Sequence, residues 1–505
     1  MKKSLITDYL SANQNCDPCF IAYLASLVSL EEEAPEVADS IVRELKDQRS
    51  NLKLIASENY SSLASQLSMG NLLTDKYSEG YPMHRFYAGC DNVDDIESLA
   101  VNEACRIFNA DHAYIQPHSG ADANLIAYWA ILATRVEEPA LEEYAVKNVS
   151  ELSKEDWDKL RLKIGNQKML GLDYYSGGHL THGYRHNVSA QMFDAYTYTV
   201  NQDTGLLDYD AIEKQALDLR PLILLAGYSA YPRKINFKRM REIADKAGAV
   251  LMVDMAHFAG LVAGGVFTGE YNPIPYAQVV TTTTHKTLRG PRGGMILCSE
   301  EFREAVDRGC PLVIGGPLPH IMAAKAVALK EAAKPGFKKY AHNIVENASA
   351  LAEACRALGM NIATGGTDNH LFLIDVRNYR LTGRQAESSL RECGVTLNRN
   401  SLPFDSNGPW YTSGLRIGTP AVTTLGMNTT DMERIAAVIH YVLENTKPAV
   451  IEKGRNAGKK SRAKYILDLE IKQEARKTVS DILSEYPVYP ELDLPYLEKS
   501  FLLKK

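Results

Sequence analysis

A lysine at the end of a threonine-rich run is the residue best suited to covalent chemistry in this chain. Lys286 follows the run TTTTH at 281–285, and Arg292 stands six residues further on in a glycine-rich stretch. Neighbouring cations and partial burial both lower the pKa of a lysine and free its lone pair for attack on a carbonyl carbon. We therefore predict that His285 and Arg292 help to keep Lys286 uncharged, so that it forms a Schiff base with an aldehyde. The alternative is a solvated loop lysine.

A carboxylate ends a second apolar run. Asp254 closes the run AVLMV at 249–253, and His257 follows three residues later. The carboxylate could cap the helix that follows, or it could lie buried and pair with a cationic ring nitrogen. A lysine Schiff base and an aspartate at a pyridinium nitrogen are the two groups that hold pyridoxal phosphate. Asp254 and Lys286 together predict a site for this cofactor.

Turns that contain glycine could hold the phosphate of such a cofactor. Ser119 and Gly120 stand immediately before an apolar helical pattern, whose free N–H groups and dipole favour an anion. Gly316 lies in a second glycine turn. Arg416 stands among small residues, where a guanidinium could bind a substrate carboxylate through two hydrogen bonds. Each pattern also occurs without a ligand, as a helix cap, a loop or a surface arginine.

A segment rich in tyrosine could supply acid and base groups. The stretch KYSEGYPMHRFYAGC at 76–90 places Tyr77, Glu79 and Tyr87 within a few turns. Such clustering suits proton transfer, and it suits a tyrosine-rich interface loop equally well.

The elements that must position these residues alternate between short apolar runs and helical patterns. Five strand-like runs begin near residues 113, 222, 249, 278 and 295, and helical patterns such as 121–132 and 237–248 lie between them. This alternation predicts an α/β fold with a parallel sheet that is buried on both faces. Ligands of such sheets bind outside the carboxyl ends of the strands, where Asp254 and Lys286 fall.

The chain divides into three predicted parts. They are a helical N-terminal arm over 1–48, a large cofactor-binding domain over 49–330 and a small C-terminal α/β domain over 331–505. Within the large domain, the charged stretch 135–170 lacks a continuous apolar stripe and is predicted to be a surface insertion.

Composition excludes several classes of function. The 505 residues carry a net charge of -6, which leaves no overall basic footprint for nucleic acid. The longest early apolar run, 20–30, is too short for a membrane helix, and only the initial MKK matches a signal peptide. Eight scattered cysteines suit a reducing compartment, so a cytoplasmic protein is expected. The CxxC pair Cys16 and Cys19 lacks further ligands at zinc spacing, and we predict no metal site.

Several segments together resemble the serine hydroxymethyltransferase family over roughly 50–440. They are LIASENY (54–60), KYSEGYP (76–82), QPHSG (116–120), GGHLTHG (177–183), VDMAHFAGLVA (253–263), VVTTTTHKTLRGPRGG (279–294), GGTDNHLFLIDV (365–376) and TSGLRIGTP (412–420). The resemblance implies fold type I of the pyridoxal-phosphate enzymes, with a mostly parallel seven-stranded sheet and a smaller C-terminal domain. It also implies interconversion of serine and glycine with tetrahydrofolate as co-substrate. Members are homodimers or homotetramers with active sites across the subunit interface.

The resemblance further implies roles for individual residues. Lys286 carries the cofactor, Asp254 keeps its ring nitrogen protonated, His257 lies near its phenolic oxygen and His179 stacks on its ring. The remaining implied roles concern the phosphate (Ser119, Gly120 and, from the partner subunit, Gly316), further cofactor contacts (Ser229, Thr283), the substrate (Ser57, Tyr87, Arg416, Arg292), acid and base catalysis (Glu79, Tyr77, Tyr87, His285) and the folate pocket (Glu79, Leu180, Asn400).

Three residues depart from the pattern of that family near the expected folate site. Tyr174 and Tyr175 stand where relatives commonly carry smaller or aliphatic residues, and Phe86 stands where tyrosine is frequent. These departures suggest, as an alternative, a folate-independent activity: racemisation of alanine or cleavage of 3-hydroxy amino acids. A further alternative is a non-catalytic protein on the same fold.

Overall fold

The computed structural model describes residues 3–13 and 15–502, and its centre is a seven-stranded sheet. In chain order the strands are β1 (His112–Tyr114), β2 (Lys168–Leu172), β3 (Asp194–Tyr198), β4 (Ile223–Gly227), β5 (Val250–Asp254), β6 (Val279–Thr283) and β7 (Gly294–Cys298). They lie in the order β1-β7-β6-β5-β4-β2-β3, and only β7 runs antiparallel to its neighbours. The predicted α/β fold with a mostly parallel seven-stranded sheet is confirmed.

Both faces of this sheet are buried, which explains why its central strands read as continuous apolar runs. Along β5, Leu251 and Val253 pack into the core on one face, and Val250 and Met252 pack into the core on the other. The alternation follows from the two-residue period of a strand. Asp254, the next residue, is the point at which this strand leaves the apolar layer.

Helices cover the two faces and build the rest of the chain. The α-helices are Lys3–Ala12, Pro18–Glu33, Pro35–Ser50, Leu63–Leu67, Asp91–Phe108, Gly120–Leu132, Glu138–Glu143, Lys154–Gly165, Ser189–Met192, Tyr209–Leu219, Phe237–Ala247, Ala259–Ala263, Arg303–Asp307, Gly309–Leu312, Pro319–Ala332, Pro335–Ala357, Gly383–Glu392, Gly408–Tyr411, Pro420–Thr424, Thr429–Asn445, Leu469–Glu485 and Leu494–Phe501. Within the described ranges, no helix is long and apolar enough to cross a bilayer.

A second sheet lies in the C-terminal part. Its four antiparallel strands lie in the order Asn361–Ile362, Leu371–Asp375, Gly414–Gly418 and Asn398–Asn400. Three small two-stranded sheets join Leu52–Lys53 to Val395–Thr396, Gly80–Tyr81 to His84–Arg85, and Lys447–Val450 to Lys460–Ile466. The first of these pairings brings Leu52 and Leu54 into the C-terminal hydrophobic core.

The N-terminal helices do not form a separate layer. Helix Pro18–Glu33 ends at Ala34, and a new helix begins with Pro35 at its first position, where proline is tolerated. Both helices share a core with Leu497 and Phe501 of the last helix. The predicted domain limits at 48 and 330 stay predictions.

The surface insertion predicted over 135–170 is wrong at both of its ends. Val136 and Ala140 are buried, and Lys168 begins β2, which lies between β4 and β3 in the central sheet. The strand β2 was not predicted because its apolar run is short and begins three residues after the charged helix Lys154–Gly165. This stretch is therefore the crossover that leads from helix Gly120–Leu132 to the sheet.

Candidate active site

One cavity of about 560 Å³ lies at the carboxyl ends of β5 and β6. Strands Asn398–Asn400 and Gly414–Gly418 of the four-stranded C-terminal sheet also contribute residues to the cavity wall. The structure brings all but four of the predicted site residues to its wall: Ser57, Ser119, Gly120, His179, Leu180, Ser229, Asp254, His257, Thr283, His285, Lys286, Arg292, Asn400 and Arg416. The exceptions are Tyr77, Glu79, Tyr87 and Gly316.

Lys286 lies half-buried in this cavity, where its surroundings raise the fraction of neutral amine above that of an ordinary lysine. Burial lowers the pKa of Lys286 to about 8, and the positive charges of Arg416 and Arg292 act in the same direction, while Asp254 opposes them. The backbone carbonyl of Lys286 accepts hydrogen bonds from Asn59 Nδ2 at 2.8 Å and from the N–H of Arg289 at 3.0 Å. These hydrogen bonds hold the backbone of Lys286 in place, and the charges of Arg416 and Arg292 act on its amine.

The predicted part of His285 in this effect is wrong. Burial and the charges of Arg292 and Lys286 lower the pKa of His285 to about 3, so its ring is neutral near pH 7. A neutral ring cannot repel the charge of Lys286. The second cation is Arg416, which is remote in sequence and reaches Lys286 only through the fold.

Asp254 is an ionised carboxylate held by a polar network. Burial opposes its charge, but hydrogen bonds from His182 and Asn124 outweigh burial and hold the pKa of Asp254 well below its usual range. Oδ2 accepts from Asn124 Nδ2 at 2.9 Å and lies 3.2 Å from His182 Nε2, and Oδ1 accepts from the N–H of Ala256 at 3.0 Å. Asn124 in turn accepts from Thr281 Oγ1 at 2.6 Å. Such a carboxylate can hold a proton on a pyridine ring.

A helix N-terminus forms the opposite wall of the cavity. Ser119 caps helix Gly120–Leu132, and its Oγ accepts from the N–H of Asp122 at 3.2 Å. A Cβ at Gly120 would lie 2.7 Å from Thr283 Cγ2, so only glycine permits this approach of the helix to β6. The unpaired N–H groups and the dipole of this helix suit a phosphate.

Arg416 adds a cation that has no carboxylate partner in the described part of the chain. It lies in the middle of strand Gly414–Gly418, where Nη1 donates to the carbonyl of Ser229 at 2.7 Å and Nε donates to Asn398 Oδ1 at 3.2 Å. Burial lowers the pKa of Arg416 to about 10, which leaves it charged. A half-buried guanidinium that has no counter-ion among the described residues is suited to a carboxylate ligand.

Two histidines on the cavity wall are also neutral. Burial lowers the pKa of His179 to about 4, although Asp254 acts in the opposite direction, and His179 Nδ1 lies 2.7 Å from Thr181 Oγ1. Burial also holds the pKa of His257 well below its usual range. Neutral rings of this kind can stack on an aromatic ligand or exchange hydrogen bonds with it.

The four predicted residues that do not line the cavity form a cluster of their own. Tyr77 and Tyr87 each donate to one oxygen of Glu79 at 3.3 Å, and their rings meet edge to face at 5.0 Å. A Cβ at Gly316 would lie 3.2 Å from Tyr77 Cζ. Tyr77 and Tyr87 are 55% and 45% exposed. This surface faces solvent in a single chain.

Sequence reasoning missed three polar residues that support the site. Asn124 and His182 bind Asp254, and Lys325 lies buried under the segment that leads to Ser119. Lys325 Nζ donates to the carbonyls of Ile115, Pro117 and Gly294 at 2.6, 2.9 and 2.9 Å. Asn124 and Lys325 could have been singled out because each is a polar residue within a largely apolar helical segment. Their partners could not be read from the sequence, since they lie about 30 to 210 residues away.

Lys325→Met is expected to lower the free energy of unfolding by about 3 kcal/mol, because the carbonyls of Ile115, Pro117 and Gly294 lose the buried amine that donates to all three. Urea denaturation followed by circular dichroism measures the change. The matched control is Lys330→Met on the same helix, where an exposed side chain predicts a change below about 0.5 kcal/mol. Equal midpoints for the two variants would contradict the structural role of Lys325.

Comparison with known proteins agrees with this geometry. The family model described as "Serine hydroxymethyltransferase" matches residues 30–140 and 161–439. The gap at 141–160 lies inside the charged crossover. Proteins named serine hydroxymethyltransferase are similar over almost the whole chain: 61% identity in Treponema pallidum (99% of this chain, 87% of the relative), 55% in Salinispora tropica (94% and 98%) and 54% in Mycolicibacterium smegmatis (95% and 96%). This chain therefore belongs to the serine hydroxymethyltransferase family.

Proposed function

We propose that this protein uses pyridoxal phosphate to interconvert serine and glycine and transfers the one-carbon unit to tetrahydrofolate, giving 5,10-methylenetetrahydrofolate. The observation that carries the proposal is the presence in one cavity of a lysine with a lowered pKa, an ionised aspartate and a cation without a counter-ion. These are Lys286, Asp254 and Arg416. Membership in the family supplies the reaction and the co-substrate.

Each of these residues has a task that follows from its chemistry. When bound, pyridoxal phosphate supplies an electron sink for the bond that breaks in serine. Lys286 would hold the cofactor covalently, and Asp254 would keep the proton on its ring nitrogen. Arg416 binds the substrate carboxylate and so orients the bond that breaks. Ser119 and Gly120 bind the phosphate through the helix N-terminus.

The remaining cavity residues surround these groups. His179 would pack against the cofactor ring, and His257, Ser229 and Thr283 would supply further contacts to the cofactor. Ser57 and Arg292 help Arg416 to bind the substrate. Leu180 and Asn400, which line the cavity together with Tyr174, bind tetrahydrofolate.

We also propose that the protein is at least a homodimer in which each copy supplies Tyr77, Glu79, Tyr87 and Gly316 to the cavity of the other. Two observations support it: these residues do not line their own cavity, and exposed apolar side chains stand close to Tyr77, Glu79 and Tyr87 in the sequence. Leu72, Met83 and Phe86 are 85%, 84% and 69% exposed. An apolar patch of this kind is typical of an interface. In the assembled site Glu79 transfers protons to and from the substrate.

A cytoplasmic location is part of the same proposal. All eight cysteines are unpaired, as a reducing compartment keeps them.

Glycine formation from serine, measured with and without tetrahydrofolate, tests the main proposal. Tetrahydrofolate is expected to raise the rate by about 10²-fold or more, because capture of the one-carbon unit adds a group-transfer path that the protein alone lacks. D-alanine formation from L-alanine, measured in the same preparation, tests the alternative activity, which no feature of the cavity favours. Equal rates of glycine formation in the two arms would contradict the proposed use of tetrahydrofolate.

A further inference from the structure

Two buried histidines from different parts of the fold share a hydrogen bond beside the cavity. His257 Nδ1 lies 3.1 Å from His370 Nε2, and the ring planes are inclined by 29°. His257 follows β5 and lines the cavity, whereas His370 immediately precedes strand Leu371–Asp375 and lies behind the wall. The two residues are 2% and 0% exposed. This pair thus connects the four-stranded C-terminal sheet to the cavity at the carboxyl end of β5.

The hydrogen between the two rings has only two possible positions. Burial and the charges of Lys286 and Arg416 hold the pKa of both histidines far below the usual value, and His179 acts on the pKa of His257 in the same direction. Both rings are therefore neutral near pH 7, and each carries one hydrogen. One of the two facing nitrogens donates and the other accepts.

The surroundings of His370 select one of these positions. His370 Nδ1 is buried and has no hydrogen-bond partner in the part of the chain that the structure describes. If His257 donated, the hydrogen of His370 would have to lie on this atom, and native proteins rarely leave a buried N–H without an acceptor. If His370 donates from Nε2, His257 carries its hydrogen on its own Nε2. That nitrogen is the one left to face the cavity.

We propose that His370 is a positioning residue that fixes His257 as a hydrogen-bond donor to an anionic oxygen of the bound cofactor. The inference rests on the proposed function, because it takes the phenolic oxygen of pyridoxal phosphate as the acceptor. Without His370, the neutral ring of His257 is free to exchange its tautomer and to offer a lone pair instead. The phenolic oxygen is conjugated with the nitrogen of Lys286, so loss of the donor makes that nitrogen more basic.

His370→Phe keeps a ring in place and removes the donor, whereas His370→Gln restores an N–H at a similar reach. The probe is the visible absorption of the protein loaded with pyridoxal phosphate, titrated with pH. In His370→Phe the midpoint of this pH titration is expected to rise by about one pH unit, which is the size of a lost hydrogen bond to a charged group. In His370→Gln the midpoint is expected to lie close to that of the unsubstituted protein. A residue that only fills space would give no such recovery.

An unchanged midpoint in folded His370→Phe overturns the inference. Should that variant fail to fold, ¹⁵N NMR of the unsubstituted, cofactor-free protein decides: hydrogen on His257 Nε2 supports it, and hydrogen on Nδ1 overturns it. The His257→Gln spectrum assigns the signal. If the unsubstituted protein shows no visible band with added pyridoxal phosphate, the proposed function fails, and with it the assigned acceptor. This outcome differs from a band whose midpoint does not move.

Discussion

Lys286→Ala is expected to lower the rate of glycine formation from serine by about 10³-fold or more, because among the described residues no other lysine lines the cavity. Borohydride reduction of the unsubstituted protein loaded with pyridoxal phosphate should leave the cofactor covalently on Lys286, as peptide mass spectrometry can establish. The variant should carry no reduced cofactor. The circular dichroism spectrum should stay unchanged, since the amine makes no hydrogen bond on which the fold depends.

The control for this experiment is Lys325, whose side chain is buried. Burial lowers the pKa of Lys325 to about 7, so Lys325 is the competing site of attachment. However, its amine is committed to three carbonyls and it does not line the cavity. Reduced cofactor on Lys325 in the unsubstituted protein would contradict the assignment of Lys286.

The same lysine predicts how cofactor loading depends on pH. With a pKa of about 8, roughly 10% of Lys286 is neutral at pH 7, against roughly 0.03% for the ordinary value of 10.5. The rate of loading should therefore rise through pH 8 and level off above about pH 9. The unfolded chain binds this proton more tightly than the folded one, so Lys286 makes the cofactor-free protein more stable as pH rises from about 8 to 10.5.

Local sequence was sufficient to predict the centre of the fold and most of the cavity wall. The run that ends at Asp254 and the run that ends at Lys286 both form parallel strands of the central sheet, and the general rule for such sheets places their ends in one cavity. The four threonines at 281–284 are polar, yet they are compatible with a buried strand because their hydroxyls find partners. Thr281 donates to Asn124, and Thr283 donates to the carbonyl of Ala256.

The sequence could not predict contacts between side chains that are far apart along the chain. Arg416, rather than His285, is the second cation at Lys286, and the partners of Asp254 come from a helix and a loop that precede it by 130 and 72 residues. The strands β2 and β3 were missed, since β2 begins only three residues after a charged helix and β3, at the edge of the sheet, has no continuous apolar run. Such contacts depend on the order of strands in the sheet, which no local pattern contains.

A second copy of the chain accounts for the residues that lie outside the cavity, and a hybrid dimer tests this directly. Lys286→Ala removes a group inside the cavity, and Glu79→Gln removes one from the exposed cluster; the latter is expected to lower activity by about 10²-fold. If each cavity takes Glu79 from its partner, a hybrid of the two variants has one site that lacks both groups and one site that is complete. Purified through two different affinity tags, the hybrid should recover about half the activity of the unsubstituted dimer.

The matched control combines two losses inside the same cavity. A hybrid of Lys286→Ala with Arg416→Ala has no complete site, because both groups come from one chain, and it should stay inactive. If Glu79 served the cavity of its own chain, the first hybrid would be as inactive as this control. Recovery in the first hybrid alone therefore separates a shared site from a site built within one chain. The exposed tyrosines around Glu79 then become buried groups of the assembled site, which would explain why 76–90 combines apolar surface with acid and base residues.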